Sequence, residues 1–106
     1  MAVDLKQKIR EIGGKPYCPV DVVRVNDQVI RMALVDGEFH WHRHAEDELF
    51  FVYSGEIVIQ YKDRGNVRLA QGQMHVVPKG KEHCPKSIGP SYVLLFEPYK
   101  VNTRGD

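Results

Sequence analysis

A chain of 106 residues with a formal net charge of +1 has room for one hydrophobic core and not for two. Hydrophobic residues at 42% and charged residues at 27% are the proportions of an ordinary soluble domain. No block of Lys and Arg offers a polyanion a charged face, which argues against nucleic acid as a partner, and no apolar run approaches the length of a membrane span. The N-terminus has no apolar stretch of the signal-peptide kind, so a cytoplasmic location is the expectation. Cys18 and Cys84 stand far apart and outside any Cys-x-x-Cys pair, and are expected to be free thiols.

The first segment reads as a short helix. Asp4 can cap it, Leu5, Ile9 and Ile12 recur at spacings of four and three, and Gly13-Gly14 stops it. From Pro16 the texture changes to short runs of β-branched and aromatic residues between turn signals. Strands are expected near residues 20–25, 28–35, 38–44, 48–53, 56–62, 67–69, 75–77, 83–87 and 92–97. The turns between them include Asn26-Asp27, Asp36-Gly37, Ser54-Gly55, Gln71-Gly72 and Ile88-Gly89-Pro90. Many short strands at regular intervals predict an all-β sandwich or barrel, with residues 1–15 as a helical arm and 16–106 as one domain.

Leu49-Phe50-Phe51-Val52-Tyr53, Ile57-Val58-Ile59 and Val93-Leu94-Leu95-Phe96 are apolar on consecutive residues instead of alternating. Both faces of such strands should be covered. The inner face has the core. The outer needs the N-terminal helix or a second copy of the chain, and since one short helix covers little area, a homodimer is the expectation.

Chemistry concentrates in His40-Trp41-His42-Arg43-His44. On a strand His42 and His44 would project to one face, and imidazole is a ligand for Zn, Fe, Mn, Ni and Cu. Glu48 lies six residues after His42, roughly 20 Å away along one extended strand, too far to share an ion with it. Ala45-Glu46-Asp47 can turn the chain so that Glu48 starts the neighbouring strand and faces back. Further on, Pro78-Lys79-Gly80 builds a turn just before His83, which closure of the barrel could bring over the first cluster.

With these residues the chain resembles the cupins. The first motif of that family is a glycine, a short spacer, His-x-His, three or four residues, Glu, six residues and Gly; here it is Gly37, His42-Arg43-His44, Glu48 and Gly55. The second is Gly, five residues, Pro-x-Gly, two residues, His, three residues and Asn; here it is Gly72, Pro78-Lys79-Gly80, His83 and Ser87. Two departures are a four-residue spacer after Gly37, where the family has five, and Ser87 in place of Asn. The likeness runs from about residue 30 to 97.

The resemblance implies a double-stranded β-helix, or jelly-roll, barrel holding one divalent transition-metal ion on His42, His44, Glu48 and His83. More narrowly the chain looks like small single-domain cupins of the mannose-6-phosphate-isomerase-like kind, through Trp41, Val77 to Gly80 and Glu97-Pro98 with Val101 to Thr103. The isomerase label of that group reflects fold and implies no such activity here.

His40, Phe50 and Val52 share strand parity with the ligands and are expected to line a largely apolar pocket. His75 reads as structural, Glu46 and Asp47 as solvated turn residues, and Arg31 and Arg43 as surface cations more than anion ligands. A metal-dependent enzyme acting on a small, oxygen-rich organic molecule is the expected function; a dioxygenase, isomerase, decarboxylase or lyase would each suit the cage. The alternative is a non-catalytic ligand-binding or sensor module with the same metal site. No residue is singled out as catalytic.

Overall fold

The computed structural model describes residues 2–105. Helix α1 spans Leu5–Ile12. Asp4 caps it, its carboxylate accepting from the Lys6 N–H at 2.9 Å. Gly13 ends it in a left-handed conformation (φ +62°) and returns its N–H to the Ile9 carbonyl, a conformation that suits glycine better than other residues. Seven strands follow: β1 Val20–Val25, β2 Gln28–Glu38, β3 Glu48–Ser54, β4 Glu56–Tyr61, β5 Val67–Ala70, β6 Met74–Val77 and β7 His83–Pro98.

Strand β7 organises the fold. One of its edges pairs antiparallel with β2 from Pro98 to Lys86. The other is shared: β3 takes the stretch from Phe96 to Tyr92, and β4 the stretch from Lys86 to His83. β1 extends the sheet beyond β2, β6 beyond β3, and β5 beyond β4. The result is a jelly roll. The closed barrel expected from the sequence is not formed, because β1, β5 and β6 each have a strand on one side only.

Two expected turns are bulges inside continuous strands. β2 advances from Val35 to Gly37 while β7 advances from Ser91 to Ser87, so Ile88, Gly89 and Pro90 are pushed out of the ladder and Ile88 is fully exposed. Gly37 (φ +80°) supplies the left-handed backbone on the facing strand. The Ser87 hydroxyl reaches the Val35 carbonyl at 2.8 Å across this irregularity.

The strand expected over 38–44 is also absent. β2 ends at Glu38, and of the following residues His42 alone bridges β7, at His83. Between the pairs Glu38–Lys86 and His42–His83 the first chain has one residue more than the second. Opposite this stretch stands Pro85, whose carbonyl accepts from the Phe39 N–H at 3.0 Å but which has no N–H to return. The ladder breaks there.

The inner faces of the strands form one core around Val35, Phe50, Val52, Ile57, Ile59, Val93 and Leu95. Outside the sheet, Ile12 of α1 packs with Met32 and Leu34, with Tyr53 and Leu94 alongside. The helix covers that half of the outer face. Beyond it, apolar side chains cross β7, β3 and β6: Phe96, Leu49 and Val76 in one register, Phe51 and Met74 in the next. Met74, Val76 and Phe96 are exposed.

Candidate metal centre

His42 and His44 come from the irregular segment 39–47 instead of a strand. His42 is placed by a reciprocal pair of backbone bonds with His83, 3.0 Å and 2.9 Å long. The His44 carbonyl accepts from the Gly80 N–H at 2.8 Å, and the Asp47 carboxylate accepts from the Lys79 N–H at 2.8 Å. The Pro78-Lys79-Gly80 turn is thereby locked to the segment that carries the histidines. Residues 45–47 turn the chain, and Glu48 opens β3, facing inward beside Val77 in the register.

These ties bring His42, His44 and His83 together, with one ring nitrogen of each within 4.8 Å of the others. A Glu48 carboxylate oxygen lies 3.4 Å from His44 Nε2 and 3.8 Å from His83 Nε2. His44, Glu48 and His83 are all buried. The three histidines could hold a metal ion, and the hydrogen bonds around two of them set the tautomer a ligand requires. His42 Nδ1 sits 2.9 Å from the His40 carbonyl, and His83 Nδ1 2.9 Å from that of Lys81. A carbonyl can only accept, so both Nδ1 atoms carry the proton and both Nε2 atoms present lone pairs. His83 Nε2 is buried with no hydrogen-bond partner. A buried polar atom without a partner is costly, and a cation at that point would relieve it.

The electrostatics agree with the donor set. Burial lowers the His42 imidazole to about 4, which keeps it neutral at physiological pH. Burial alone would raise the Glu48 carboxyl, but its interactions with the neighbouring His44, His83 and Glu97 side chains outweigh it and hold the group below the ordinary carboxylate range. Glu97 goes the other way. Burial, and then the neighbouring Glu48 carboxylate, raise it well above the ordinary carboxyl range. Glu97 is thus the protonated partner of a carboxyl–carboxylate pair, with Glu48 carrying the charge.

Glu97 and its support lie outside the metal-ligand motifs. Arg31 donates from Nη1 to Glu97 Oε1 at 2.8 Å and to the Val101 carbonyl at 3.0 Å, from Nη2 to the Tyr99 carbonyl at 2.8 Å, and from Nε to Asp21 at 3.1 Å. Arg31 is therefore a clamp between β1, β2, β7 and the C-terminal segment, with no contact to the metal cluster. The available signal was parity: Glu97 follows the inward positions Val93 and Leu95, where an acid needs a partner.

A cavity of about 40 Å³ adjoins the cluster, with Tyr17, Phe39, Phe50 and Thr103 in its wall beside His42 and Glu48. Phe50 is part of its wall. Val52 is fully buried in the core and does not reach the cavity. His40 is turned aside, its Nε2 2.8 Å from the Arg104 carbonyl. His75 bonds the Tyr61 hydroxyl at 2.7 Å, Glu46 pairs with Lys100, and Arg43 is exposed. Both cysteines are free, Cys18 exposed and Cys84 buried. Among the described residues no helix is long and apolar enough to cross a membrane.

Comparison with known proteins agrees with this geometry. The cupin-domain family Cupin_2 matches residues 28–97. The uncharacterized protein YdbB of Bacillus subtilis (strain 168) is 39% identical over 83 residues, 77% of this chain and 74% of that protein. The crystal structure of a cupin-2 domain containing protein from Shewanella frigidimarina superposes with a TM-score of 0.85 at 33% identity, covering 92% of this chain and 94% of that one. The 3-hydroxyanthranilate 3,4-dioxygenase of Caenorhabditis briggsae is 32% identical over 111 residues, 99% of this chain but 40% of that enzyme.

Proposed function

The chain belongs to the cupin family, and from that premise we propose that His42, His44, Glu48 and His83 hold one divalent transition-metal ion (Zn, Fe, Mn, Ni or Cu) in a metal-dependent enzyme acting on a small, oxygen-rich organic molecule. The observation that carries the proposal is His83: fully buried, its Nδ1 proton committed to the Lys81 carbonyl, its Nε2 bare and turned toward two further imidazoles and a carboxylate. Three imidazoles and one carboxylate suit any of these ions. When bound, such an ion polarises a coordinated oxygen or activates water. Around it, Glu48 keeps its charge because Glu97 holds the proton of the pair, and Phe50 and Phe39 limit water at the cavity wall. The dioxygenase relatives support the enzymatic reading at the level of chemistry, and their substrate is not carried over, since this chain spans less than half of their length.

One observation favours a second reading. Among the described residues the cavity wall offers no acid or base apart from His42, Glu48 and the Tyr17 phenol. A ligand-binding or sensor module would need none. Metal analysis after gentle purification is expected to give about one ion per chain, lost when His42 and His44 are both changed to Ala. Retention of metal by that double variant would refute the site. Oxygen uptake or consumption of a metabolite pool, abolished in Glu48→Gln, would support the enzyme; tight ligand retention without turnover would support the sensor.

The exposed Met74, Val76 and Phe96 on β6 and β7 further support a homodimer in which a second copy covers what α1 leaves open. Light scattering is expected to give twice the chain mass, falling to one chain in the double variant Met74→Asp/Phe96→Asp with its circular dichroism unchanged.

A further inference from the structure

The two ends of the chain, both outside residues 28–97 of the family match, contribute to the wall of the cavity beside the metal cluster. Before β1, Pro16 bridges Leu34 and the Tyr17 N–H donates to the Leu34 carbonyl at 2.9 Å. Tyr17 takes up a left-handed backbone (φ +59°) that is unusual for an aromatic residue. Its ring stacks on Phe39 with centroids 4.4 Å apart and planes 19° from parallel, a flat apolar wall. The Tyr17 hydroxyl is spent on the Gly37 carbonyl at 2.5 Å. Burial raises its phenol, so it stays neutral.

After β7, the C-terminal segment returns across the opening. Arg31 holds the Tyr99 and Val101 carbonyls, the Arg104 carbonyl meets His40, and Thr103 enters the cavity wall. Among the described residues no lysine or arginine lines the cavity and its one charged side chain is the carboxylate of Glu48; the Arg104 guanidinium lies over the Phe39 ring, 5.1 Å from its centroid, without entering the wall. An anionic group of a ligand seated away from the metal would lose its hydration with no lysine or arginine in the cavity wall to compensate. The volume, about 40 Å³, takes only a few heavy atoms at a time.

We infer that the ligand of this cavity is compact, apolar in body and uncharged beyond the oxygens that reach the metal, and that Thr103 is one of the residues setting this preference. The inference rests on the metal reading above. A carboxylate or phosphate elsewhere on the ligand has no seat. Specificity for a neutral body comes from the two terminal segments, one presenting the stacked Tyr17 and the other Thr103.

The test uses the full-length protein loaded with Co²⁺, whose visible absorption reports ligands entering the coordination sphere, and two hydroxamic acids of similar length. Butyrohydroxamic acid ends in a methyl group and succinohydroxamic acid in a carboxylate. The neutral probe is expected to bind at least tenfold more tightly. Thr103→Arg, which places a cation in the wall, should narrow that ratio while leaving bound cobalt per chain unchanged. Equal or tighter binding of the acid by the unaltered protein would overturn the inference even with one cobalt bound, and an unchanged ratio in Thr103→Arg would overturn the role of Thr103. Failure of the protein to hold cobalt, read independently by metal analysis, would instead remove the metal reading and the inference with it.

Discussion

Residues 39–47 and strand β7 supply ligand candidates to the same cluster, yet they are held in different ways. His83 stands in a strand paired on both sides, with His42 and Tyr61 as its neighbours in the register. His42 and His44 hang on a segment without regular structure, placed by the His42–His83 pair, the Phe39 N–H to Pro85 and the Gly80 N–H to His44. One region is fixed by folding and the other by a few bonds, so a bound ion has more to order on the irregular side.

Breaking the strand side has the largest expected effect. Ile59, fully buried on β4 beside Pro85 of β7, is part of the core, and Ile59→Ala should cost about 2–5 kcal/mol in urea unfolding. Metal stoichiometry of the folded fraction should not change. A large loss of metal with little loss of stability would show that the strands do not carry the frame.

Adding metal sharpens the contrast. Binding to the folded state alone stabilises it by about 2.7 kcal/mol at a free metal concentration one hundred times the Kd. Amide hydrogen exchange should slow most within 39–47 and little within 93–97. Equal slowing in both regions would mean that the irregular segment was already as ordered as the strand.

Arg31→Met is expected to cost about 1–3 kcal/mol, because it removes the hydrogen-bond donor to the buried Glu97 and releases the Tyr99 and Val101 carbonyls. Proteolysis should then become faster near the C-terminus while the His42–His83 pair is unaffected. The last effect is one of pH. The His42 pKa is about 4 in the folded protein and ordinarily 6.5, so the unfolded chain binds its proton first. The contribution of His42 to metal-free stability is whole above pH 6.5 and is lost as pH falls toward 4, by less than about 1.4 kcal/mol per pH unit, the limit for one proton. Thermal melts between pH 7 and 4 should show a shallower decline for His42→Gln than for the unaltered chain.

Much of the candidate site is legible in the sequence because its cause is local. The impossibility of joining His42 and Glu48 on one straight strand demands a turn at 45–47, and the structure has it. Asp4 and Gly13-Gly14 bound α1 through their own backbone chemistry. Other features depended on what lies opposite. Asp36-Gly37 and Ile88-Gly89-Pro90 carry turn residues, but those residues serve a bulge equally well, and only the pairing of β2 with β7 decides which is made. The break after Glu38 comes from Pro85, far away in the chain. Arg31 and Glu97 are 66 residues apart, and neither reveals the other without the register that joins them.

The most direct test of the metal site is the long-range proton–nitrogen correlation spectrum of the histidine rings during titration of metal-free protein with Zn²⁺. The ring nitrogens of His42, His44 and His83 should move from their metal-free positions to metal-bound ones together, complete at one equivalent, while those of His40 and His75, engaged by the Arg104 carbonyl and the Tyr61 hydroxyl, stay in place. An unmoved His83 Nε2 at one equivalent would contradict the account.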